Sequence, residues 1–299
     1  MAHIIVPEAE ELLDKTFPVL DHGFVRLVDY MGGDARITQA ARVSYGDGTK
    51  SVRQDKGLVN YLMKNSHTSP FEQVILTFHA KMPIFVARQW VRHRTARLNE
   101  ISGRYSVMED EFYLPTEETI RFQSERNMQG RSEQEVPPAL RARVLELLKR
   151  DQSALYQNYE EMIGDDIARE LARVNLPLSL YTQWYWQIDL HNLFHFLRLR
   201  IDWHAQYEIR AYAEAMSTMA KAVAPLAYAA FEKHILHGVR LSSVEVRAVR
   251  AMVTGAPVKL KEKPLKELLH KLGVDQGALG SSPGAGATKA AAREATATD

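Results

Sequence analysis

The sequence predicts an α+β protein: a central, mostly antiparallel sheet flanked by helices, with a helix-rich C-terminal half. Three observations predict it. Val74, Leu76, Phe78, Ala80 and Met82 alternate with Gln73, Ile75, Thr77, His79 and Lys81, the period of a strand with one face in a core. Phe24-Val25-Arg26-Leu27-Val28 is a second run rich in residues that favour strands. Beyond Pro137, apolar residues return at helical spacing, first as Leu140, Val144, Leu147, Leu148, Leu155, Tyr159 and Met162, then as Ile209, Tyr212, Met216, Met219 and Val223.

Composition narrows the function classes. The chain has 299 residues, enough for a sizeable core. Its 45% apolar and 25% charged residues are ordinary for a soluble globular protein. A formal net charge of +1 gives no global field favouring nucleic acid. No run approaches the long uncharged apolar segment of a membrane helix. Met1 to Lys15 lacks the pattern of a signal peptide, so the expected location is the cytoplasm. There is no cysteine, which excludes disulfides, Cys-ligated metal and a thiol nucleophile.

Taken in order, residues 1–16 read as an N-terminal arm with modest helical character. A domain spans 17–254, and 255–299 form a basic, then low-complexity tail. Gly23 to Tyr30 holds the first strand. Asp34 to Val43 is a short helix with Ile37, Ala40 and Ala41 on its apolar side, and Arg53 to Lys64 a second with Leu58, Tyr61 and Leu62. Asn65 to Pro70 is a turn, because Ser, Asn and Pro compete with helix. From the residues alone, His67 and Ser69 are capping and turn groups. After the strand to Met82, Pro83 suits the first turn of a helix carrying Ile84, Ala87, Arg88 and Val91. A loop follows, where Gly103 can supply an unusual backbone angle.

Asp110 to Arg131 is polar and irregular, a surface excursion. Pro137-Pro138 opens a long helix that Gly164 ends. Asp165 is the expected N-cap of a helix from Ile167 to Val174, which Pro177 stops. Tyr181, Trp184, Tyr185 and Trp186 form an aromatic cluster suited to a core. A helix is expected from Asp189 through Gln206 and on to Ala222. Pro225 interrupts it, and Leu226 to Leu236 follows. Ser242-Ser243-Val244-Glu245 reads as a capping box before Val246 to Val253. Lys259 to Lys271 is basic and weakly amphipathic. From Gln276 the chain is Gly, Ser, Ala and Thr with scattered charges, and disorder is expected.

The chemistry concentrates in Gln89 to Ser106. Arg92, Arg94, Arg97 and Arg104 crowd there, with His93, Asn99, Glu100, Ser102 and Ser106 among them. Guanidinium groups are planar donor forks suited to phosphate and carboxylate, and the neighbouring acceptors suit a ring with N–H groups. Such a site could hold a phosphorylated heterocycle. Charges delivered to the end of a buried helix are costly unless a ligand or partner meets them. A second polar block runs along Asp189 to His204. At helical spacing, His191, His195, Arg198 and Asp202 share one side, and Arg200, Leu193, Phe196 and His204 the other. Polar groups on both sides of such a helix suggest contacts on both sides. His191 and His195 stand at i and i+4, but Asn192 follows His191 and no third ligand lies nearby, so no metal is expected.

Arg92-His93-Arg94, seven residues and then Ser102 form an RHR-x7-S pattern, which continues as Gly103-Arg104-Tyr105-Ser106. With the block from Leu180 to Gln206, this resembles the flavin-dependent thymidylate synthases over about Gly23 to Gly238. The resemblance implies that dUMP accepts a methylene from methylenetetrahydrofolate, that FAD reduced by NADPH supplies the reducing equivalents, and that thymidylate and tetrahydrofolate leave. It implies a homotetramer whose active sites use several subunits. It implies flavin contacts at Ser69, Arg92, His93, Arg94, Glu100, Asp189, Leu190, His191 and His195. Nucleotide contacts are implied at Gln89, Trp90, Val91, Arg92, Glu100, Ile101, Ser102, Gly103, Arg104 and Arg173, some through backbone. Arg200 matches the residue that activates the uracil ring. A cysteine-free chain cannot activate that ring with a thiolate, so charge near the ring has to do it.

Two rival readings come from other classes. One is a nucleic-acid-binding protein that uses Arg92 to Arg104 on phosphates and Tyr or Trp as stacking platforms. The other is a purely structural helical assembly. Within the thymidylate synthase resemblance, Ser102 positions substrate, since an activated serine needs a base and His93 is not obviously placed for it. Arg169 reads as a solvated neighbour of Arg173. For Arg200 a salt bridge with Asp189 or Glu208 is the bland alternative.

Overall fold

The structure is a computed structural model that describes residues 3–43, 52–125 and 129–274. The chain divides into two compact units, Met1–Leu236 and His237–Asp299. In the first, α1 (Pro7–Glu10), β1 (Phe17–Val19), β2 (Gly23–Met31), α2 (Asp34–Arg42) and α3 (Val52–Lys64) lead to a 3-10 turn at Phe71–Gln73. Then come β3 (Ile75–Pro83), α4 (Ile84–Trp90), β4 (Arg97–Glu100), β5 (Arg121–Gln123) and β6 (Arg131–Glu135). The unit finishes with α5 (Pro138–Gly164), α6 (Arg169–Ala172), β7 (Tyr181–Asp189), α7 (Leu190–Arg200), α8 (Tyr207–Val223) and α9 (Pro225–Phe231). The second unit holds α10 (Ser243–Thr254) and α11 (Glu262–Lys271).

Five strands form one sheet in the order β1-β2-β3-β7-β4, and every neighbouring pair is antiparallel. The fold is α+β. Alternation decides which face is covered. Leu76, Phe78, Ala80 and Met82 of β3 and Trp184, Trp186 and Ile188 of β7 are buried, against α4, α7 and α8. The opposite face is polar. There the Arg26 Nε–H donates to His79 Nδ1 at 3.1 Å, His79 stacks on Tyr185 with centroids 4.7 Å apart, and Gln187 Nε2 donates to Thr77 at 3.1 Å. β2 approaches α8 so closely that a Cβ on Gly23 would lie 2.0 Å from the Tyr212 hydroxyl and 2.5 Å from the Val19 carbonyl, a packing only glycine permits.

Five expectations are corrected. Tyr181 to Asp189 is not only an aromatic cluster but a strand, with Gln183, Tyr185 and Gln187 on one face and the tryptophans on the other. Arg97 to Glu100, expected as loop, adds an edge strand to it, with Arg97 opposite Gln187 and Glu100 opposite Trp184. The 110–131 excursion contains β5 and the start of β6, and it buries Phe112 and Tyr113. Asp165 does not open the helix after Gly164: it is the C-cap of α5, and Ala168 precedes the four-residue α6. The helix from Asp189 ends at Arg200, because the Asp202 carboxylate turns back onto the His204 amide at 2.9 Å.

α5 meets the rest of the unit mainly through its second half. Tyr156 and Tyr159 join Met108, Phe112, Ala172 and Leu180 in a satellite core, whereas Leu140 is exposed. In the second unit the capping box is present: the Glu245 amide donates to the Ser242 hydroxyl at 3.3 Å, and the Ser242 amide to the Glu245 carboxylate at 2.7 Å. Within the segment read as a tail, α11 buries Leu268 and Leu269. The low-complexity stretch from Gln276 lies outside the described residues.

Candidate active site

β3 delivers α4 to the edge of the core, and α4 ends at Trp90, which is 0% exposed. Trp90 is wedged edge-on against Trp184 at 5.4 Å and Trp186 at 5.3 Å, and lies 5.1 Å from Phe196. This anchor throws Arg92, His93 and Arg94 out of the core beside α7. Asp189 caps α7: its carboxylate accepts from the Asn192 amide at 2.9 Å and from the Asn192 side chain at 2.7 Å. α7 buries Leu190, Leu193, Phe196 and Leu197, which leaves His195, Leu199 and Arg200 toward the Arg92–Arg94 segment.

Between the two elements lies a pocket of about 380 Å³, lined by Arg92, His93, Arg94, Thr95, Ile188, Asn192, His195, Leu199 and Arg200. Arg200 Nε–H donates to His93 Nε2 at 3.1 Å, and Arg200 Nη2 donates to the Gln89 carbonyl at 3.4 Å. Among the described residues no carboxylate lies within ion-pair reach of Arg200: Asp189 is committed to its helix cap, and buried Glu208 meets Arg131 and the Tyr113 hydroxyl. Burial first and Arg92 second press the Arg200 pKa downward. A guanidinium nevertheless keeps its proton at neutral pH.

The histidines feel the same surroundings. Burial, then the Arg200 charge, then His195 push His93 from 6.5 down to about 4. His195 is lowered by burial, then by Arg198, His191 and Arg200. Both rings are therefore neutral at pH 7, and the folded state binds fewer protons than the unfolded chain between pH 6.5 and about 4. A depressed folded pKa contributes stability that is present above pH 6.5 and lost as pH falls through that window. The melting temperature should drop on acidification from pH 7 to pH 4, and His93→Gln should make the drop shallower. A pH dependence of melting unchanged by His93→Gln would contradict this account.

A second group of basic residues sits where β4 ends. The Ile101 amide donates to the Gln183 carbonyl at 2.9 Å, and the Thr182 hydroxyl to the Glu100 carboxylate at 2.6 Å. The chain then turns tightly, with the Tyr105 amide donating to the Ser102 carbonyl at 3.0 Å and the Arg104 amide to the Ser102 hydroxyl at 3.3 Å. Gly103 matters for proximity rather than for an unusual angle, since a Cβ there would crowd two side chains, standing 3.1 Å from Arg173 Cδ and 3.0 Å from Met108 Sδ. Arg169 donates to the Tyr105 carbonyl at 3.3 Å, and Arg104 pairs with Glu170 at 3.0 Å. Arg169 is exposed, as a solvated neighbour of Arg173 should be, and it adds this one bond to the turn.

The expected site residues therefore fall into distinct places. Arg92, His93, Arg94, His195 and Arg200 line one pocket, and Gln89 reaches it through its carbonyl. Glu100, Ile101, Ser102, Gly103, Arg104 and Arg173 belong to the β4 turn and its neighbour. Val91 is exposed, and its amide caps α4 on Ala87. Trp90 and Leu190 are fully buried, so their side chains are core and only their backbone remains for a ligand. Ser69, in the turn before Phe71, and His191 are not among the pocket lining. Thr95, Ile188, Asn192 and Leu199 line the pocket without having been singled out. Asn192 carried a signal, since it stands three residues after the Asp that caps its helix.

The donor set suits a flavin. Arg92 and Arg94 can meet phosphate oxygens, Ile188 and Leu199 offer an apolar wall, and Asn192 and His195 offer polar groups to a ring.

Comparisons with known proteins identify the family. A family model described as "Thymidylate synthase complementing protein" matches residues 26–226. A flavin-dependent thymidylate synthase of Treponema denticola is 59% identical over 260 residues, 87% of this chain and 98% of the relative. That of Treponema pallidum is 54% identical over 91% of this chain and 89% of its own length. Among solved structures, the UMP/dUMP methylase PolB of Streptomyces cacaoi, bound with 5-Br dUMP, superposes with a TM-score of 0.65 at 30% identity, covering 73% of this chain and 97% of that one. With the motif, the sheet and the arginine-lined pocket in place, the chain belongs to the flavin-dependent thymidylate synthase family.

Proposed function

We propose that the protein converts dUMP to thymidylate, taking a methylene from methylenetetrahydrofolate and its reducing electrons from NADPH through FAD, and releasing tetrahydrofolate. One observation carries this reading: among the described residues Arg200 is a half-buried guanidinium held by neutral acceptors, with no carboxylate to cancel its charge, in a pocket lined by further cations. In a chain without cysteine, C5 of the uracil ring has to become nucleophilic through charge held beside its oxygen and N3. A fixed cation at low effective dielectric does that. The net change replaces the C5 hydrogen, which leaves as a proton, with a methyl group built from the folate methylene and a hydride equivalent of two electrons and one proton.

Residue roles follow from position. Arg104, Arg173 and the backbone of the Ser102–Ser106 turn would hold the nucleotide phosphate, each charge-assisted bond contributing roughly 1.5–3 kcal/mol. Arg92, Arg94, His195 and Asn192 would hold the flavin, with Ile188 and Leu199 excluding water. Reduced flavin, when bound, supplies the reducing equivalents. Ser102 positions substrate. Ser102→Ala should lower turnover without abolishing it, and trapping a covalent nucleotide adduct on Ser102 would overturn that role.

We propose a homotetramer in the cytoplasm with sites shared between subunits, because Arg173 and Arg200 belong to separate basic groups that one nucleotide has to bridge. No helix among the described residues is long and apolar enough to cross a membrane. If sites are shared, mixing inactive Arg200→Ala and Arg92→Ala proteins should restore part of the activity. A fully active monomer by light scattering would end the idea. The nucleic-acid reading loses support, because Arg92 and Arg94 line a concavity and a formal net charge of +1 gives the chain no broad basic surface. The deciding experiment is the absorbance spectrum of purified protein, followed by thymidylate formation from dUMP, methylenetetrahydrofolate and NADPH. A colourless, inactive protein after FAD addition would refute the proposal.

A further inference from the structure

The closest hydrogen-bond partner of Arg200 is a ring nitrogen. The Nε–H of Arg200 points at His93 Nε2 across 3.1 Å, and one Nη2 hydrogen points at the Gln89 carbonyl. A guanidinium has only donors. The His93 nitrogen facing it must therefore be an acceptor, which places the imidazole hydrogen on Nδ1. The ring is held in that pose from the side. Phe196, one helical turn before Arg200, meets His93 edge-on with centroids 4.9 Å apart, and His195 lies 5.8 Å away.

We infer that His93 is a positioning residue for Arg200: its neutral, Nδ1-protonated imidazole fixes the guanidinium at Nε and leaves both Nη1 hydrogens and the second Nη2 hydrogen, which have no protein acceptor among the described residues, for the uracil ring. The inference rests on the reading of Arg200 as the activating cation. It gives His93 a task within the protein itself, whatever else touches its ring. Two points stand beside the geometry. The charged and titratable groups around His93 are Arg200 and His195 on α7 and Arg92 and Arg94 on its own segment, none of them anionic. Burial first, then Arg200 and His195, keeps the imidazole neutral across the physiological range. An imidazolium in the same place would turn its acceptor into a donor and push Arg200 away. Carbonyl and imidazole together leave the guanidinium plane little freedom, a preorganisation that a carboxylate partner would supply only by cancelling the charge.

The test compares His93→Leu, which keeps bulk without an acceptor, with His93→Gln, whose side-chain carbonyl can accept. Turnover, KM for dUMP, flavin content, melting and binding of 5-bromo-dUMP are measured for each, for Arg200→Ala and for the His93→Leu/Arg200→Ala double variant. Loss of a hydrogen bond to a charged group predicts about a 10- to 100-fold fall in kcat for His93→Leu with flavin retained, largely recovered in His93→Gln. The double variant should be no worse than Arg200→Ala alone, since residues acting through one another are non-additive. Wild-type kcat in flavin-loaded His93→Leu, or losses that multiply in the double variant, would overturn the inference while leaving Arg200 in place. Near-normal turnover of Arg200→Ala would instead remove the reading beneath it. If His93→Leu fails to fold, nitrogen NMR of histidine-labelled wild-type protein decides, with the His93→Gln spectrum identifying the resonance. A protonated Nε2 on His93 would refute the contact, and an unprotonated Nε2 is expected.

Discussion

Arg200→Ala should keep the fold and the flavin yet lose about 10²–10³ in turnover, the usual cost of removing one preorganised charge-stabilising group. The expectation follows from how the side chain is held. Arg200 ends α7, whose buried face is Leu193, Phe196 and Leu197, so the helix needs nothing from the guanidinium to form. Its removal leaves no buried carboxylate unpaired, because Asp189 is a cap and Glu208 pairs with Arg131. Fold and melting temperature should therefore change little. Chemistry should change a great deal, since the uracil ring loses the cation proposed to activate it. Arg200→Lys should not recover full rate. An ammonium offers its donors from a single point and cannot reach His93, the Gln89 carbonyl and the ring in the geometry of a planar fork. The measurements are thymidylate formation, flavin absorbance and thermal melting on the same samples. Near-normal turnover in a folded, flavin-loaded Arg200→Ala protein would remove Arg200 from the mechanism.

How much of this was readable in advance depends on whether the information was local. Strand β3 was legible because one face of it had to be apolar at every second residue. The burial of Leu76, Phe78, Ala80 and Met82 follows that pattern. Strand β7 had the same signal in Gln183 and Gln187, which alternate with Trp184, Trp186 and Ile188. Its density of aromatics drew attention to the core and away from the period. Strand β4 offered no such signal. All four of its residues are exposed, and it is a strand because β7 provides an edge to pair with. The stop after Arg200 has neither Gly nor Pro, and it depends on one aspartate side chain two residues further on. The site itself shows the sharper limit. His93 and Arg200 were both singled out, but they lie 107 residues apart in sequence, and that one donates to the other is a property of the packed fold. Gly103 shows the reverse error. A glycine in a loop invites an account from backbone angles, whereas here it makes room for Arg173.

Trp90→Ala should be the most destabilising single change near the site, at roughly 3–5 kcal/mol for a fully buried large aromatic. Against a typical total of about 5–15 kcal/mol, that is a large fraction of the stability of the unit. The melting temperature should fall on the order of 10 °C. The reason is position. Trp90 meets Trp184 and Trp186 from the sheet, Phe196 from α7 and Tyr212 from α8, so one side chain joins the sheet to α8 and to α7, which lines the pocket. A cavity there would release α4 and, with it, the placement of Arg92, His93 and Arg94. Trp90→Phe separates this structural role from contact with nucleotide. The indole N–H has no hydrogen-bond acceptor among the described residues, so phenylalanine removes volume but no hydrogen bond. Trp90→Phe should be only moderately destabilised and should keep a nearly normal KM for dUMP. A strong rise in KM in Trp90→Phe with an unchanged melting curve would show that the indole itself touches the nucleotide, and would place Trp90 in the binding site rather than the core.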